Sequence, residues 1–407
     1  MSIYEWADNE YNIFKTNTGF TQKLASKTYE LELDEYRKYE ERLALIHEFQ
    51  DICIHVFEDA LDGGVNNKVL EWLINETPES LGIEYHKKLD RGLYKRPVFF
   101  RTDELNFGKI AEIQCPGSLW GELELCYKYL FELGIDIPIS DPGHNFSLQL
   151  KEYIGEMPII HHLLDAASAQ PGMRYFISNI RKWNKFYGMD KDISAYNCNF
   201  VRGHSVFGLC ADNYFKERVI SKKIQYDLPP IILFDQKATL VLPFWSKTRD
   251  YFNDDIRNMI AYSVPVLKEG IEMEDGSIVS IKDFSARPRS SRNYYLKYAG
   301  ADIALNWGSK GVYRLSNMNS KKCYEILMKC AEESLNGKIW LIQKEIIRDD
   351  IVEYYERDGR KICKTLRGKY SAFYGPYSLI GVLAMHRHHN KVHGQKETVI
   401  SLGICKV

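Results

Sequence analysis

One short alternating stretch limits what this chain can fold into more than any other: "RPVFFRTDELNFGKIAEIQCPG", residues 96–117. Side chains of a strand alternate between its two faces. A hairpin turning at "ELNFG" therefore puts Arg101 and Asp103 on one face of its first strand, and Glu112 and Gln114 on one face of its second. With Asp103 opposite Glu112, Arg101 lies opposite Gln114, and four polar groups converge on one surface. Phe100, Ala111 and Ile113 take the other face, which suits a core. Like charges directly opposed destabilise a sheet, so this register demands a cation between the carboxylates. Mg2+ answers the demand, because it takes oxygen ligands and commonly binds one or two carboxylates plus substrate phosphates. Gln114 could add a carbonyl oxygen, and Arg101 could stabilise an anionic transition state beside the metal. A solvated hairpin face with an Arg–carboxylate pair satisfies the same pattern.

The rest of the chain narrows the setting. Its 407 residues suit two or three packed subdomains around more than one core. Apolar residues make up 45 % and charged residues 27 %, an ordinary soluble composition, and 27 tyrosines favour ordered surfaces or pockets over long disorder. A formal net charge of -1 shows no basic footprint in the totals, so no nucleic-acid partner is expected. Nine scattered cysteines without a CxxC pair suit reduced thiols in a cytosol better than a disulfide framework. The start "MSIYEWADNEYNIFK" carries no basic-then-apolar signal, and no apolar run approaches the roughly 20 residues of a membrane span. The expectation is a soluble, cytoplasmic protein with no membrane partner.

Residues 29–62 have helical spacing, with Leu43, Ile46, Phe49, Ile52, Val56 and Phe57 on one stripe. "NKVLEWLIN" and "GSLWGELELCYKYLFELG" read as further helices, the latter capped by Ser118 and stopped at Gly134. "SLQLKEYIGE" and "PIIHHLLDAASAQPG" suggest helix and "MRYFISNI" suggests strand. "ISAYNCNFVRG" and "PPIILFDQKATLVLPFW" read as strands, the second broken at Asp-Gln-Lys, and "RDYFNDDIRNMIAYS" as a helix. Strand-like runs dominate from residue 292 onward, interrupted by the helix "SKKCYEILMKCAEESL". The expected class is α+β, with a helical N-terminal region over 1–95, a mixed domain carrying the hairpin over 96–230 and a nucleotide-binding region over 231–407.

The run Arg-Thr-Asp, eight residues, then Glu-Ile-Gln resembles the metal motif of the glutathionylspermidine-synthase-like branch of the ATP-grasp ligases, where Arg-x-Asp is followed downstream by Glu-x-Asn. In that branch the ATP-grasp elements are circularly permuted, with metal carboxylates early and nucleotide lysines late, and this chain has that order. The resemblance covers residues 96–120 and 240–400. It implies a circularly permuted ATP-grasp-like fold in which Asp103 and Glu112 bind Mg2+ and Arg101 holds the acyl phosphate or tetrahedral intermediate. Gln114 stands where the family usually has Asn. "YYLKYAGADIALNWGSKGV" resembles the strand-borne lysine and glycine-bearing loop, so Lys297 would reach ATP phosphates, with Gly300, Gly308 and Gly311 allowing backbone approach. "KIWLIQKEI" resembles the strand ending at the adenine hinge and gives Gln343, 46 residues beyond Lys297, the adenine edge. Lys247, before a helix as in the family, is the second nucleotide lysine, with Lys237 and Lys268 as rivals.

The implied reaction joins a carboxylate to an amine, or to a carrier-protein thiol, through an acyl phosphate, with a small-molecule acid, a peptide or a carrier protein as partner. A binding protein that keeps the fold without turnover is the other class. His386, His388, His389 and His393 lack a standard zinc spacing and read as structural or exposed. Arg202 and His204 could bind a substrate carboxylate or cap a turn, and His161 and His162 read as packing or surface residues.

Overall fold

The computed structural model describes residues 3–11, 22–106, 108–115, 118–135, 137, 139–163, 170–189, 198–203, 205–301, 305, 311–388 and 397–405. Long strands supply its frame. Those that build the site are β1 (Phe100–Asn106), β2 (Lys109–Gln114), β3 (Tyr294–Tyr298), β4 (Trp340–Lys344), β5 (Asp349–Tyr355), β6 (Lys361–Tyr374), β7 (Leu379–Arg387) and β8 (Val399–Cys405). The largest sheet has eight strands, running from Lys23–Leu24 through β8, β7, β6 and β1 to β2. Its β6 spans 14 residues, long enough to pair with β5 through its first half and with β1 through its second. An antiparallel four-stranded sheet follows the order Val312–Arg314, β3, β4, Ser263–Pro265. A parallel one joins Lys185–Met189, Ile159–His162, Phe200–Arg202 and Gln225–Tyr226.

Alternation on β6 separates two cores. Tyr370, Ala372 and Tyr374 face the long helix α1 (Leu33–Leu61), whose buried Ile46, Phe49, Cys53, Val56 and Phe57 form the expected stripe. The Tyr374 hydroxyl donates to the Tyr39 carbonyl at 2.9 Å and ties that helix to the sheet. Phe373, with Leu383 and Met385 of β7, faces Trp120, Leu123, Phe146 and Phe176 of α2 (Trp120–Glu132), α3 (Pro142–Ile154) and α4 (Gln170–Ile180). Burying side chains of this size contributes about 1.5–3 kcal/mol each. Among them Arg202 pairs with the buried Asp227, its guanidinium 4.9–6.0 Å from the rings of Phe99, Trp120, Phe146 and Phe176. Its role is to anchor this core; His204 lies outside the described residues.

Several local expectations are corrected. "PIIHH" is a strand, Ile159–His162, in which β-branched residues sit between parallel neighbours. "MRYFISNI" is the helix α4: Met173, Phe176, Ile177 and Ile180 are buried at a 3.6-residue period. The run around Asp-Gln-Lys forms 3-10 turns, Ile232–Phe234 and Ala238–Val241, because two consecutive prolines and burial on all sides leave local bonds such as Leu240 N–H to the Lys237 carbonyl to satisfy the backbone. The helix after residue 249 is short, Asp254–Met259, because Asn253 caps it at Ile256. Ser118 caps nothing; the N-cap of α2 is Leu119. His161 stacks on Phe215 at 4.5 Å inside the core. All nine cysteines are free thiols. Among the described residues no helix is long and apolar enough to cross a membrane.

Glu124 of α2 is fully buried; the Gly143 N–H donates to its Oε2 at 3.0 Å, and its Oε1 has no hydrogen-bond partner. Burial first, then the charge of Asp141, push its pKa up to about 7 from an ordinary 4.5. The folded chain thus holds a proton that the unfolded chain has lost, so this contribution is full below the unfolded value and disappears as pH rises through about 7. Glu124→Gln is expected to flatten that slope and to stabilise the protein at pH 8 by about 2–3 kcal/mol. Urea denaturation at several pH values checks this; parallel pH profiles for variant and native protein would contradict it.

Candidate active site

The ladder between β1 and β2 pairs Arg101 with Gln114 and Asp103 with Glu112 before a bulge shifts the register at Glu104. The two carboxylates are direct cross-strand neighbours on one surface. Asp103 is 2 % exposed and accepts four hydrogen bonds. Its Oδ1 takes Arg101 Nε at 2.9 Å and the Ser371 hydroxyl at 2.6 Å. Its Oδ2 takes Arg101 Nη2 at 3.1 Å and Lys369 Nζ at 2.7 Å. Lys369 and Ser371 come from β6, where Ser371 lies opposite Asp103. Arg101 is fixed at its far end, because its Nη1 donates to the Ser118 carbonyl at 2.5 Å and to the Ser118 hydroxyl at 3.2 Å.

Glu112 is less enclosed. Its Oε1 receives Lys237 Nζ at 2.9 Å and Gln114 Nε2 at 2.9 Å, while its Oε2 makes no hydrogen bond among the described residues. Lys237 is set there by its own backbone, whose N–H donates to the Ala299 carbonyl just beyond β3. Lys297 of β3 donates to Gln343 Oε1 of β4 at 2.6 Å. The Gln343 amide in turn donates to Ser263 Oγ at 2.9 Å and to the Ala111 carbonyl of β2 at 3.2 Å. With the Ala261 N–H bonded to the Ile110 carbonyl at 2.9 Å, these contacts pin the antiparallel sheet to the hairpin. The cluster therefore sits on the seam between two sheets.

The charges act on one another. Burial opposes ionisation of Asp103, but Arg101 and Lys369 outweigh it and hold the carboxyl well below the usual range. Burial likewise works against Glu112, and Lys237, helped by Lys297 and Lys369, overcomes it, so its pKa also ends low. Lys297 is pushed down to about 8, chiefly by burial, with Glu112 acting to raise it and repulsion from Lys237 and Lys369 acting to lower it.

The structure thus brings together Arg101, Asp103, Glu112, Gln114, Lys297 and Gln343, named from sequence, together with Lys237, named there as a rival second lysine, and adds Lys369 and Ser371. Lys247 stands apart, with its charge acting on Glu269. Gly300 and Gly311 let the chain close on Tyr298: a side chain at 300 would strike the Tyr298 hydroxyl and Asn75, and a Cβ at 311 would lie 2.7 Å from Tyr298 Cβ. Gly308 falls outside the described residues. Lys237 had a sequence signal, as one cation in a run otherwise too apolar to solvate it. Lys369 and Ser371 had none, because their placement requires knowing that β6 pairs with a strand more than 260 positions earlier. His386 is buried against Asp350 at 3.0 Å, and His389 and His393 lie outside the described residues.

No protein-family model matches the chain, and no curated protein matches it in sequence. Among solved structures, an apo-form glutathione synthetase-like effector from Globodera pallida superposes with a TM-score of 0.53 at 12 % identity, covering 99 % of this chain and 94 % of that one. The chain therefore has a fold similar to that of this glutathione synthetase-like effector. Among the described residues no group of three or more His, Cys, Asp or Glu could hold a metal. Asp103 and Glu112 are carboxylates of the kind that bind Mg2+ beside phosphate and water; Glu112 Oε2 makes no hydrogen bond among the described residues, whereas both Asp103 oxygens are engaged.

The hydrogen bonds predict different costs for the two acids. Asp103→Asn leaves Arg101 and Lys369 buried without their counter-charge and is expected to destabilise the ligand-free protein by about 3–5 kcal/mol. Glu112→Gln, whose side chain is 20 % exposed and whose Oε2 makes no hydrogen bond among the described residues, is expected to cost less, about 1 kcal/mol. Urea denaturation decides; a native midpoint for Asp103→Asn would contradict the network.

Proposed function

We propose that this chain is an ATP-dependent ligase that joins a carboxylate to an amine through an acyl phosphate, releasing ADP and phosphate, and that it belongs to the circularly permuted, glutathionylspermidine-synthase-like branch of the ATP-grasp ligases. One observation carries this reading: Arg101, Lys237, Lys297 and Lys369 gather around only two carboxylates, Asp103 and Glu112, at the seam of two sheets. The surplus of positive charge, largely buried at this seam, suits a polyphosphate. The glutathione synthetase-like fold supports the same reading.

In this proposal a substrate carboxylate oxygen attacks the γ-phosphorus, the bond to the β,γ-bridging oxygen breaks, and ADP departs. The amine then attacks the acyl carbon, and phosphate leaves. Such transfers need positioning and charge neutralisation more than a protein nucleophile. Lys237 and Lys297 bind phosphate oxygens, so Lys237 takes the second-lysine role that sequence order gives to Lys247. Arg101 stabilises the oxyanion of the second step. Asp103, Glu112 and Gln114 would hold Mg2+, which when bound neutralises triphosphate charge. Gln343, whose amide is engaged on both sides, orients Lys297, and neighbouring backbone groups at the end of β4 meet the adenine edge. The three sequence regions 1–95, 96–230 and 231–407 remain the working domain division. The nine free cysteines support a reducing, cytoplasmic setting.

The saturation of Asp103 favours one second reading, a nucleotide-binding protein without turnover. ADP release measured across a panel of acids with amine and thiol acceptors separates the two. Turnover is expected with at least one pair, and Lys297→Met and Glu112→Gln should each lower it about a hundredfold or more. ATP binding without ADP release from any pair would leave the binding protein, and native turnover in Glu112→Gln would remove the site assignment.

A further inference from the structure

The metal reading of Asp103 and Glu112, on which this inference rests, meets an obstacle in the structure. A divalent ion shared by the two acids needs an oxygen from each. Glu112 Oε2 is open, but both Asp103 oxygens are taken. Its three partners are not equally held. Arg101 grips Asp103 with two nitrogens of a planar fork and is itself tied to Ser118, so it cannot leave without moving the start of α2. The Ser371 hydroxyl is neutral and stands directly across the ladder. Lys369 is different: a compact point charge on a flexible stem, making one contact, at 2.7 Å, from two residues further along β6. It is also the one partner of Oδ2 that does not arise from the hairpin.

We propose that Lys369 is the resident counter-ion of the metal carboxylates: it holds Asp103 in position while no divalent cation is present, and yields Oδ2 to that cation, with which it competes. This explains how the two acids can face one another across the ladder with no divalent cation between them. It also makes metal entry an exchange of one cation for another, so an incoming ion is disfavoured unless something anionic, such as the phosphates of a nucleotide, accompanies it and receives the displaced ammonium.

Titration of the full-length protein with Mn2+ alone, read by the loss of the free-ion EPR signal at low ionic strength, tests this. The ion is expected to bind the native protein weakly. Lys369→Met and Lys369→Gln should each tighten it by about tenfold or more; the Gln variant keeps a hydrogen-bond donor toward Asp103, so a folded variant exists even if the Met variant does not fold. Native-like, weaker or unmeasurable Mn2+ binding in the folded Lys369 variants would overturn the inference. If Glu112→Gln meanwhile abolishes the binding seen in native protein, the metal reading stands and only the role of Lys369 falls. If Glu112→Gln binds Mn2+ as the native protein does, the metal reading itself falls and takes the inference with it.

Discussion

Two carboxylates set directly across from one another on adjacent strands, one of them buried, are the constraint from which the rest of this structure follows. Left alone, the pair would repel and one acid would take up a proton. Here cations converge from four separate segments: Arg101 from the hairpin, Lys369 from β6, Lys237 from a 3-10 turn and Lys297 from β3. The pair therefore acts as a register mark for the whole chain. A slip of one residue between β1 and β6 would turn Ser371 and Lys369 to the opposite face and leave Asp103 with Arg101 alone.

The fold makes this arrangement possible by enclosing it. Helix α1 buries one face of β6 and helices α2 to α4 the other, so the strand that carries Lys369 is held between two cores. The seam to the antiparallel sheet is closed by Gln343, which reaches Lys297, Ser263 and the Ala111 carbonyl at once. The opposite side of β6 uses the same logic: Asp350 is partly buried among His386, Tyr370, Tyr29 and Arg348, which satisfy it with hydrogen bonds. Although burial acts to raise that carboxyl, His386 and Tyr370 outweigh it, and its pKa is lowered. The histidine-rich C-terminal stretch thus contributes a structural hydrogen bond through its first histidine.

The hairpin could be read from sequence because its signal is local: alternation, a turn and an in-register pair of acids lie within 22 residues, 96–117. Helix α1 was legible for the same reason, its stripe repeating over 29 residues. What escaped was non-local or lacked a period. The run from Pro229 to Trp245 is apolar on both sides of Asp235–Lys237 and mostly buried, so nothing in its pattern separates strand from 3-10 turn. Ile159–His162 is buried on both faces and carries no alternation. Lys369 looked like any lysine on a strand until β6 was seen to lie beside β1. The site could be named from its acids but not from all its bases, because the acids share a hairpin and the bases do not.

The measurement that bears most directly on this account is a crystal structure with a non-hydrolysable ATP analogue and Mg2+. The account predicts the triphosphate within hydrogen-bonding reach of Lys237 and Lys297, and a metal joining Asp103 to Glu112. A nucleotide bound away from this seam, with Lys369 and Arg101 still closed on Asp103, would contradict it.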